Sequence, residues 1–475
     1  MLAQSSSRKQ KKSVVPKKQN SNLPPAPSLL KTIGPSFILL GLALGSGELL
    51  LWPYLAANYG LGLLWGALLG VSFQYVLNTE VMRYTLARGE SVFLGFRQLS
   101  WFWPLWFILS TFIPWSLPGF SSAASQILAT LFPSLVSQKV AAIGLLLFTG
   151  SILTLGKTVL KTMETWQRTM IMLGIPFISL LTLGLSQPVD WQLAFEGIIG
   201  KGDGWWFFPP NIGLFAFLGA FAYSGAGGNL NLAQTYYIKE KGFGMGKGTQ
   251  KISSLLQSGK QAVHLEGRLF SDTAANRHKW QQWWSLVTKE HLLVFWSLGF
   301  LTIFLLSVLA HSLVFGQATE EGIQFLYKEA NVISQVIHPV VGLMFLLVAA
   351  QMLFSTQLGV LESSSRIISE NFLLVFYRAG KKVDLSKSFF VALWGQITLG
   401  IIILLLGFKE PRFLITLSAV LNAAAMMVAF PLIFWLNKKR LPVFLEPSTW
   451  RKFVLASAFI FFLIFVTITA AHYLS

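Results

Sequence analysis

Two glycine-rich stretches inside apolar segments hold the residues that could do chemistry. In the first, Gly-Ser-Gly at 45–47 precedes the carboxylate of Glu48, and in the second Ser-Gly-Ala-Gly-Gly at 224–228 precedes the amide of Asn229. Glycine in a helix costs about 1 kcal/mol relative to alanine, so glycine clusters favour unwinding. Unwound backbone offers free carbonyls, and these could bind a cation together with a carboxylate and an amide oxygen.

The elements that carry these stretches are membrane helices. Of the 475 residues, 53% are hydrophobic and 12% are charged, and the mean hydropathy is +0.59, whereas a soluble domain is about 25% charged. Apolar runs of roughly 20 residues, the length that crosses a bilayer, recur from residue 33 onward. The composition predicts an all-α polytopic membrane protein whose eleven spans lie near 33–57, 61–83, 103–126, 140–156, 169–186, 212–237, 292–315, 336–360, 388–408, 413–436 and 453–473.

The basic residues orient this arrangement. Most of the 37 Lys and Arg fall on the side of the N-terminus, and the five that fall on the opposite side are Lys139, Lys201, Lys328, Lys409 and Arg412. The positive-inside rule then predicts a multi-pass inner (plasma) membrane protein with a cytoplasmic N-terminus and the C-terminus outside. The net charge of +18 is explained by this topology and by attraction to anionic lipid, so no nucleic-acid partner is expected.

The pattern predicts five regions along the chain. Residues 1–32 form a basic, disordered cytoplasmic tail, 33–186 a first group of five helices, and 187–211 an outer loop. Residues 212–436 form a second group of five helices that contains a long cytoplasmic loop at 238–291, and 437–475 hold the eleventh helix. The end of that loop, which is basic and contains Trp280, Trp283 and Trp284, is expected to lie at the membrane interface.

Two broken helices five spans apart are typical of inverted-repeat transporters, in which substrate binds near the bilayer midplane. Irregular backbone at that depth survives only where protein or a water-filled cavity satisfies its polar groups. The alternative is that both glycine clusters only allow close helix packing.

The chain resembles the natural-resistance-associated macrophage protein (Nramp) family of proton-coupled divalent metal transporters. The resemblance runs from Gly34-Pro35 through METWQRTMIMLGIP, the broken sixth span and AAQMLFSTQLGVLESSSRIISENF to LSAVLNAAAMMVAFPLIFWLN. It implies a LeuT-type fold, in which two five-helix repeats are inverted in the membrane, with helices 1 and 6 broken and an eleventh helix added.

Several family ligands are replaced in this chain. The first-helix pattern Asp-Pro-Gly-Asn aligns with residues 45–48, and the sixth-helix pattern Met-Pro-His aligns with residues 226–228. The glutamine of the tenth helix aligns with Ala419, and no Asp or Glu lies between Glu90 and Glu164. The resemblance therefore implies the fold of the family but not its set of metal ligands.

An all-oxygen site can be assembled from the remaining polar groups. The candidates for binding substrate or ion are Glu48, Gly45, Ser46, Ser224, Gly225, Ala226, Asn229 and Gln351. Among them Glu48, Asn229 and the backbone carbonyl of Ala226 are the expected metal ligands. Oxygen donors without sulfur suit magnesium or manganese. A plain capping role for Glu48, at the start of a half-helix, stays open.

Proton-pathway candidates are Glu48, Glu80 and His338. Glu80 precedes Arg83 by three positions on one helix, which favours an ion pair over a relay. His338 precedes Pro339 at the outer start of span 8, where an interfacial position is the alternative to proton entry.

These features predict a secondary active transporter that imports a cation, of the magnesium or manganese class, by alternating access, and they leave proton coupling open. A carrier of small organic solutes, a channel and a transport-inactive protein stay open as alternatives. No ATP-binding G-x-x-x-x-G-K-[ST] stretch is present, no nucleophile–base pair indicates an enzyme, and no resident cofactor is expected. The expected partners are the lipid bilayer and the transported cation, with the oligomeric state left open.

Overall fold

The computed structural model describes residues 21–156, 158–210, 212–247, 252, 264–317, 323–380, 383–408 and 410–474. These residues are helical apart from turns, connecting segments and an isolated β-bridge between Lys201 and Trp206. In the described part of the chain, nine helices are long and apolar enough to cross a membrane: Pro35–Tyr59, Leu61–Arg88, Gln138–Leu155, Val159–Leu185, Ala274–Val314, Pro339–Val375, Leu385–Leu405, Phe413–Arg440 and Thr449–Ala471.

Two further spans are each divided into two helices. Span 3 consists of Trp103–Trp115 and Gly119–Leu131, separated at Pro118, and span 6 consists of Leu214–Ala222 and Gln234–Glu240, with a 3-10 segment Gly228–Ala233 between them. With these two the described chain has eleven spans, numbered here in chain order. Spans 5, 7 and 8 are longer than hydropathy predicts because their polar inner ends stay helical.

The two predicted interruptions differ in kind. Span 6 unwinds after Ala222, and Gly227 and Gly228 adopt positive φ angles of 74° and 52°, which glycine adopts at little steric cost. Span 1 stays helical throughout and widens into a π-helix over Leu44–Leu51. The change in hydrogen-bond pattern falls where the sequence predicts it, but the first helix does not unwind.

Span 8 lies at the centre of the packing. It contacts both halves of span 3, the π-helical part of span 1, and spans 5 and 9. Span 7 packs against spans 1 and 5 on another side, and span 10 packs against spans 6 and 11. The glycine-rich stretches of spans 1 and 6 therefore meet inside the bundle.

An N-terminal strap, residues 21–28, lies along Ala274–His291, the first part of span 7. The Leu23 N–H donates to Asn276 Oδ1 (3.1 Å), Lys279 Nζ donates to the Leu23 carbonyl (3.0 Å) and Trp283 Nε1 donates to the Pro24 carbonyl (2.9 Å). The disorder expected for residues 1–32 is therefore wrong for 21–32, since Leu29–Thr32 is also helical. Residues 1–20 lie outside the described part of the chain.

Two tryptophans of this segment pack inside the protein. Trp280 and Trp283 are 6% and 3% exposed, because Trp280 stacks on Phe270 and Trp283 packs against Phe243. The tryptophans contact this protein's own inner segments, and they stabilise the contact between the long loop and the helix bundle.

Buried ion pairs join the inner ends of the spans. Arg366 of span 8 bridges Glu362 on its own helix and Glu240 at the end of span 6, and all three side chains are buried. Lys241 pairs with Glu164 of span 5 (2.7 Å). These contacts hold spans 5, 6 and 8 together on the side that the charge distribution assigns to the cytoplasm.

Candidate functional site

The glycines of span 1 allow close approach of neighbouring backbones. A Cβ at Gly45 would lie 2.8 Å from both the Met352 carbonyl and Thr356 Oγ1, and a Cβ at Gly47 would lie 1.9 Å from the Tyr223 carbonyl. The Gly45 N–H also donates to Thr356 Oγ1 (2.9 Å). Both glycines therefore allow close packing, Gly45 against span 8 and Gly47 against span 6. This agrees with the alternative that the glycines of span 1 allow close helix packing.

Ser46 does not reach a neighbouring span. Its hydroxyl donates to the backbone carbonyls of Ala43 (3.1 Å) and Leu42 (3.4 Å) on its own helix. The side chain is only 2% exposed. Its hydroxyl is hydrogen-bonded within its own helix and makes no contact with the Glu48 carboxylate among the described hydrogen bonds.

Glu48 is fully buried and faces span 7. A Cβ at Gly299 would lie 3.6 Å from Glu48 Oε1, so the carboxylate approaches span 7 at this glycine. Neither carboxylate oxygen makes a hydrogen bond of normal geometry within the described residues. The hydroxyl of Thr302 lies close to it but donates to the Leu298 carbonyl (2.8 Å).

This position excludes the capping role for Glu48. A capping carboxylate accepts hydrogen bonds from free N–H groups at a helix start, but span 1 continues through residue 48 without a new start and the carboxylate accepts no such bond. The salt bridges of the described residues also include none to Glu48. Within the described part of the chain, Glu48 is a buried acid without an ion-pair partner.

The unwound part of span 6 is held by one glutamine of span 2. Gln74 Oε1 accepts from the Gly227 N–H (3.1 Å) and from Asn231 Nδ2 (3.0 Å), and Gln74 Nε2 donates to the Ala222 carbonyl (3.2 Å). A Cβ at Gly225 would lie 2.6 Å from Gln74 Oε1, so glycine is needed at 225 for the backbone to reach this side chain. The Gln74 amide thus replaces the helical hydrogen bonds that span 6 gives up.

The remaining candidates of span 6 point in different directions. Ser224 Oγ donates to the Ala220 carbonyl and accepts from Trp52 Nε1 (both 3.1 Å), facing span 1. Asn229 Nδ2 donates to Ser110 Oγ (2.8 Å) and to the Thr111 hydroxyl of span 3 (3.0 Å), while Asn229 Oδ1 has no partner in the described structure. Ala226 is buried with 2% exposure.

The predicted oxygen set is therefore not gathered around one point. Glu48 faces span 7 and Asn229 bonds to span 3. Gln351 is exposed and donates to Met170 Sδ of span 5, which separates it from both. The described residues contain no group of three His, Cys, Asp or Glu side chains placed to hold a metal ion.

Glu80 is held by ion-pair and amide contacts to spans 2, 10 and 11, and His338 makes a local contact. Arg83 Nε (2.7 Å), Arg451 Nη1 (3.0 Å) and Asn437 Nδ2 (3.0 Å) all donate to the Glu80 carboxylate, a geometry that favours the ion pair over a relay. His338 Nδ1 accepts from the Val340 N–H (3.3 Å) at the start of span 8, as expected of an exposed helix cap.

A polar and aromatic group between spans 3, 6 and 10 was not predicted. The Trp115 and Tyr223 rings stack at 5.6 Å, the Tyr223 hydroxyl contacts Ser418 Oγ (2.7 Å), and Asn422 Nδ2 donates to the Tyr223 hydroxyl (3.1 Å). Trp115 Nε1, Ser116 Oγ and Asn422 Oδ1 have no partner within the described residues. The signal in the sequence was a serine and an asparagine four positions apart in the apolar tenth span.

A cavity lies away from all of these residues. Its volume is about 1230 Å³, and it opens between the outer half of span 6 and spans 10 and 11, with a lining that is mostly apolar. None of the predicted site residues lines it, so it does not enlarge the Glu48 environment.

The comparisons with known proteins identify the fold. No family model matches the chain, and no curated protein sequence does. The structure superposes on a histidine-to-alanine mutant of the manganese transporter of Eremococcus coleocola with a TM-score of 0.71 and 16% identity, covering 95% of this chain and 89% of that one. The same transporter in complex with an aromatic bis-isothiourea substituted compound gives 0.67 and 15%, covering 95% and 90%.

A more distant similarity is to Mhp1, a nucleobase-cation-symport-1 family transporter in a closed conformation with bromovinylhydantoin bound. The TM-score is 0.55 at 11% identity, covering 92% of this chain and 91% of that one. Together these similarities confirm the predicted LeuT-type fold, and the resemblance to the Nramp family holds at the level of the fold.

Proposed function

We propose that this chain is a secondary active transporter that moves a cation across the membrane by alternating access around spans 1 and 6. The observation that carries the proposal is Glu48, a fully buried carboxylate that has no ion partner among the described residues and lies on the helix that packs against the broken span 6. An unpaired charge is expensive to bury. The carboxylate must therefore be neutralised by a bound proton or by a bound cation, and exchange between the two would couple transport to protons.

The proposed cargo is a divalent metal of the magnesium or manganese class. The fold is shared with a protein described as a manganese transporter, and the donors beside the interruptions are oxygens, which suit hard cations. Asn229 Oδ1 has no partner in the described structure, and the carbonyls of Gly225 and Ala226 lie on the unwound stretch. Because Glu48 and Asn229 face different spans here, joint ligation requires the helix rearrangement that alternating access supplies.

Gly299 of span 7 lies close to the Glu48 carboxylate, since a Cβ at Gly299 would lie 3.6 Å from Oε1. An organic solute needs a chamber of about 300 Å³ or more, and Glu48 does not line the cavity beside spans 10 and 11. These observations support an ion over a larger substrate at this residue.

A second candidate function is transport of a planar polar solute, favoured by the group around Tyr223. The stacked Trp115–Tyr223 pair offers an aromatic face, and Trp115 Nε1 and Asn422 Oδ1 offer an unused donor and acceptor. The structural neighbour Mhp1 is described with bromovinylhydantoin bound. In this case Trp115→Phe should weaken uptake of a hydantoin probe and leave cation uptake unchanged.

Uptake into proteoliposomes tests the first proposal. Manganese, magnesium and calcium are offered separately while the internal pH is recorded, and Glu48→Gln is compared with wild type. Glu329→Gln is the matched control, because Glu329 is also a buried carboxylate (2% exposed) but lies on the helix Gln324–Val336 between spans 7 and 8.

We expect manganese or magnesium to enter above the background of empty liposomes, Glu48→Gln to reduce uptake at least tenfold, and Glu329→Gln to retain it. The proposal is wrong if no cation enters in protein whose folding is verified by thermal unfolding. It is also wrong if folded Glu48→Gln transports like wild type.

A further inference from the structure

Buried carboxamides form a second polar group on the inner side of the span 6 break. Asn78 of span 2 and Asn231 and Gln234 of span 6 are each 0% exposed. Five of their side-chain atoms have no hydrogen-bond partner within the described residues: Asn78 Nδ2, Asn78 Oδ1, Asn231 Oδ1, Gln234 Nε2 and Gln234 Oε1. Buried amide groups almost always find a partner, either protein or ordered water.

Helix geometry places these side chains along one seam. Asn231 bonds to Gln74 across the two spans (3.0 Å), and Asn78 follows Gln74 by one α-helical turn on the same face of span 2. Residues Gly228–Ala233 form a 3-10 helix, in which side chains three positions apart are eclipsed. Gln234 therefore extends the face of span 6 that Asn231 presents to span 2.

A hydroxyl pair continues the seam toward the inner surface. Thr85 Oγ1 contacts Thr235 Oγ1 (2.6 Å), and Thr235 Oγ1 accepts from the Val92 N–H (3.2 Å). Thr85 lies seven residues after Asn78, on the same face of span 2. The unpartnered amides thus lie between the Gln74 contact at the break and the threonine pair near the inner end of both spans.

The chemistry of these groups selects the ligand. A bare cation binds acceptor atoms and no donors, whereas the amides of Asn78 and Gln234 each leave both a donor and an acceptor without a partner among the described residues. Water donates and accepts and typically makes about three hydrogen bonds in a buried polar site. We infer that Asn78, Asn231 and Gln234 line a water-binding site within the helix bundle, which continues the proposed transport route from the span 6 break toward the inner side.

This assignment goes beyond the proposed function and adds a location for the inner half of the route. It does not depend on the identity of the cargo, because the site is defined by buried amides between spans 2 and 6. Its first test therefore reads out solvent access and not transport.

The natural chain contains no cysteine, so single cysteines can be introduced without removing any. Asn78→Cys and Gln234→Cys are treated with a small hydrophilic methanethiosulfonate reagent in vesicles that expose the inner side. Leu232→Cys is the control, since Leu232 is also 0% exposed, lies on the 3-10 segment two residues before Gln234, and is apolar.

We expect both amide-position variants to react at least tenfold faster than Leu232→Cys. If neither reacts faster than the control in folded protein, the seam is dry and the inference is wrong. This result is independent of uptake, so a protein that transports no tested cation could still give the labelling expected here.

A double replacement, Asn78→Leu with Gln234→Leu, gives a second readout. We expect uptake of the cation that wild type transports to fall at least tenfold, with the thermal unfolding temperature unchanged or higher. If the amides were only a packing defect, removal of unpartnered polar groups would stabilise the fold and leave uptake unchanged. Unchanged uptake in this folded variant would overturn the inference.

Discussion

Replacement of Gln74 by leucine should destabilise the protein far more than the same kind of replacement one turn further along span 2. Gln74 makes three hydrogen bonds to the unwound region, to the Ala222 carbonyl, the Gly227 N–H and Asn231 Nδ2, at 3.0 to 3.2 Å. Gln74→Leu leaves these three buried groups without the glutamine. A buried group that loses its partner costs about 1–3 kcal/mol.

Asn231 Nδ2 keeps its hydrogen bond to the Gly228 carbonyl (3.2 Å), so the expected loss comes from the Ala222 carbonyl and the Gly227 N–H and is about 2 kcal/mol or more. That corresponds to a shift of about thirtyfold or more in the folding equilibrium. Leucine fills a volume similar to that of glutamine, so the change removes hydrogen bonds and does not open a large cavity.

Asn78→Leu is the matched control. Asn78 is equally buried on the same helix, but its amide atoms have no protein partner within the described residues. Its replacement removes no protein hydrogen bond, and we expect a change in stability within about 1 kcal/mol of zero.

Unfolding in detergent, followed by the fluorescence of the 17 tryptophans, measures both variants against wild type. If Gln74→Leu and Asn78→Leu lose the same stability, the three hydrogen bonds contribute nothing measurable. The claim that Gln74 replaces the helical bonds of the break would then be wrong.

Two further outcomes follow from contacts on the inner side. Arg366→Met leaves the carboxylates of Glu240 and Glu362 buried without their cation, and we expect a loss of about 3–5 kcal/mol in the same unfolding assay; a loss under about 1 kcal/mol would contradict a paired role for Arg366. Glu266 accepts from the Tyr377 hydroxyl (2.5 Å) and from a backbone N–H, and these bonds hold the pKa of Glu266 below its ordinary value. Because the pKa of Glu266 is lowered in the folded protein, this contact contributes its full stability above the ordinary glutamate pKa of about 4, and that stability is lost as the pH falls below this value. Hydrogen exchange in residues 264–273, corrected for intrinsic rates, should therefore rise only in acid. Glu266→Gln should raise this exchange at neutral pH.

Most of the helical framework could be predicted from hydropathy and glycine content. The unwinding of span 6 was visible because Gly227 and Gly228 are needed for positive φ angles. The division of span 3 was missed even though Pro118 marks it, because the apolar run continues across the proline and hydropathy does not register the break.

The candidate site was less predictable because side-chain direction depends on helix geometry. A π-helix contains more residues per turn than an α-helix, so the segment Leu44–Leu51 changes the angle at which later side chains leave the axis. Glu48 lies within this segment and faces span 7. The sequence predicted an unwound first helix with Glu48 at the site, and only the contact of Glu48 with Gly299 of span 7 shows where its carboxylate lies.

The docked strap has a mechanical consequence. Residues 21–28 are bound to the first part of span 7, and the chain then enters span 1. There Ser36 Oγ donates to Glu290 Oε2 of span 7 (2.5 Å). Span 1 and span 7 are thus joined at two places near the same end, by the strap and by the Ser36–Glu290 hydrogen bond. If span 1 moves at that end, either span 7 moves with it as a rigid body or the strap first dissociates from span 7. The hydrogen bonds of the Leu23 and Pro24 backbone set the energy that this dissociation requires.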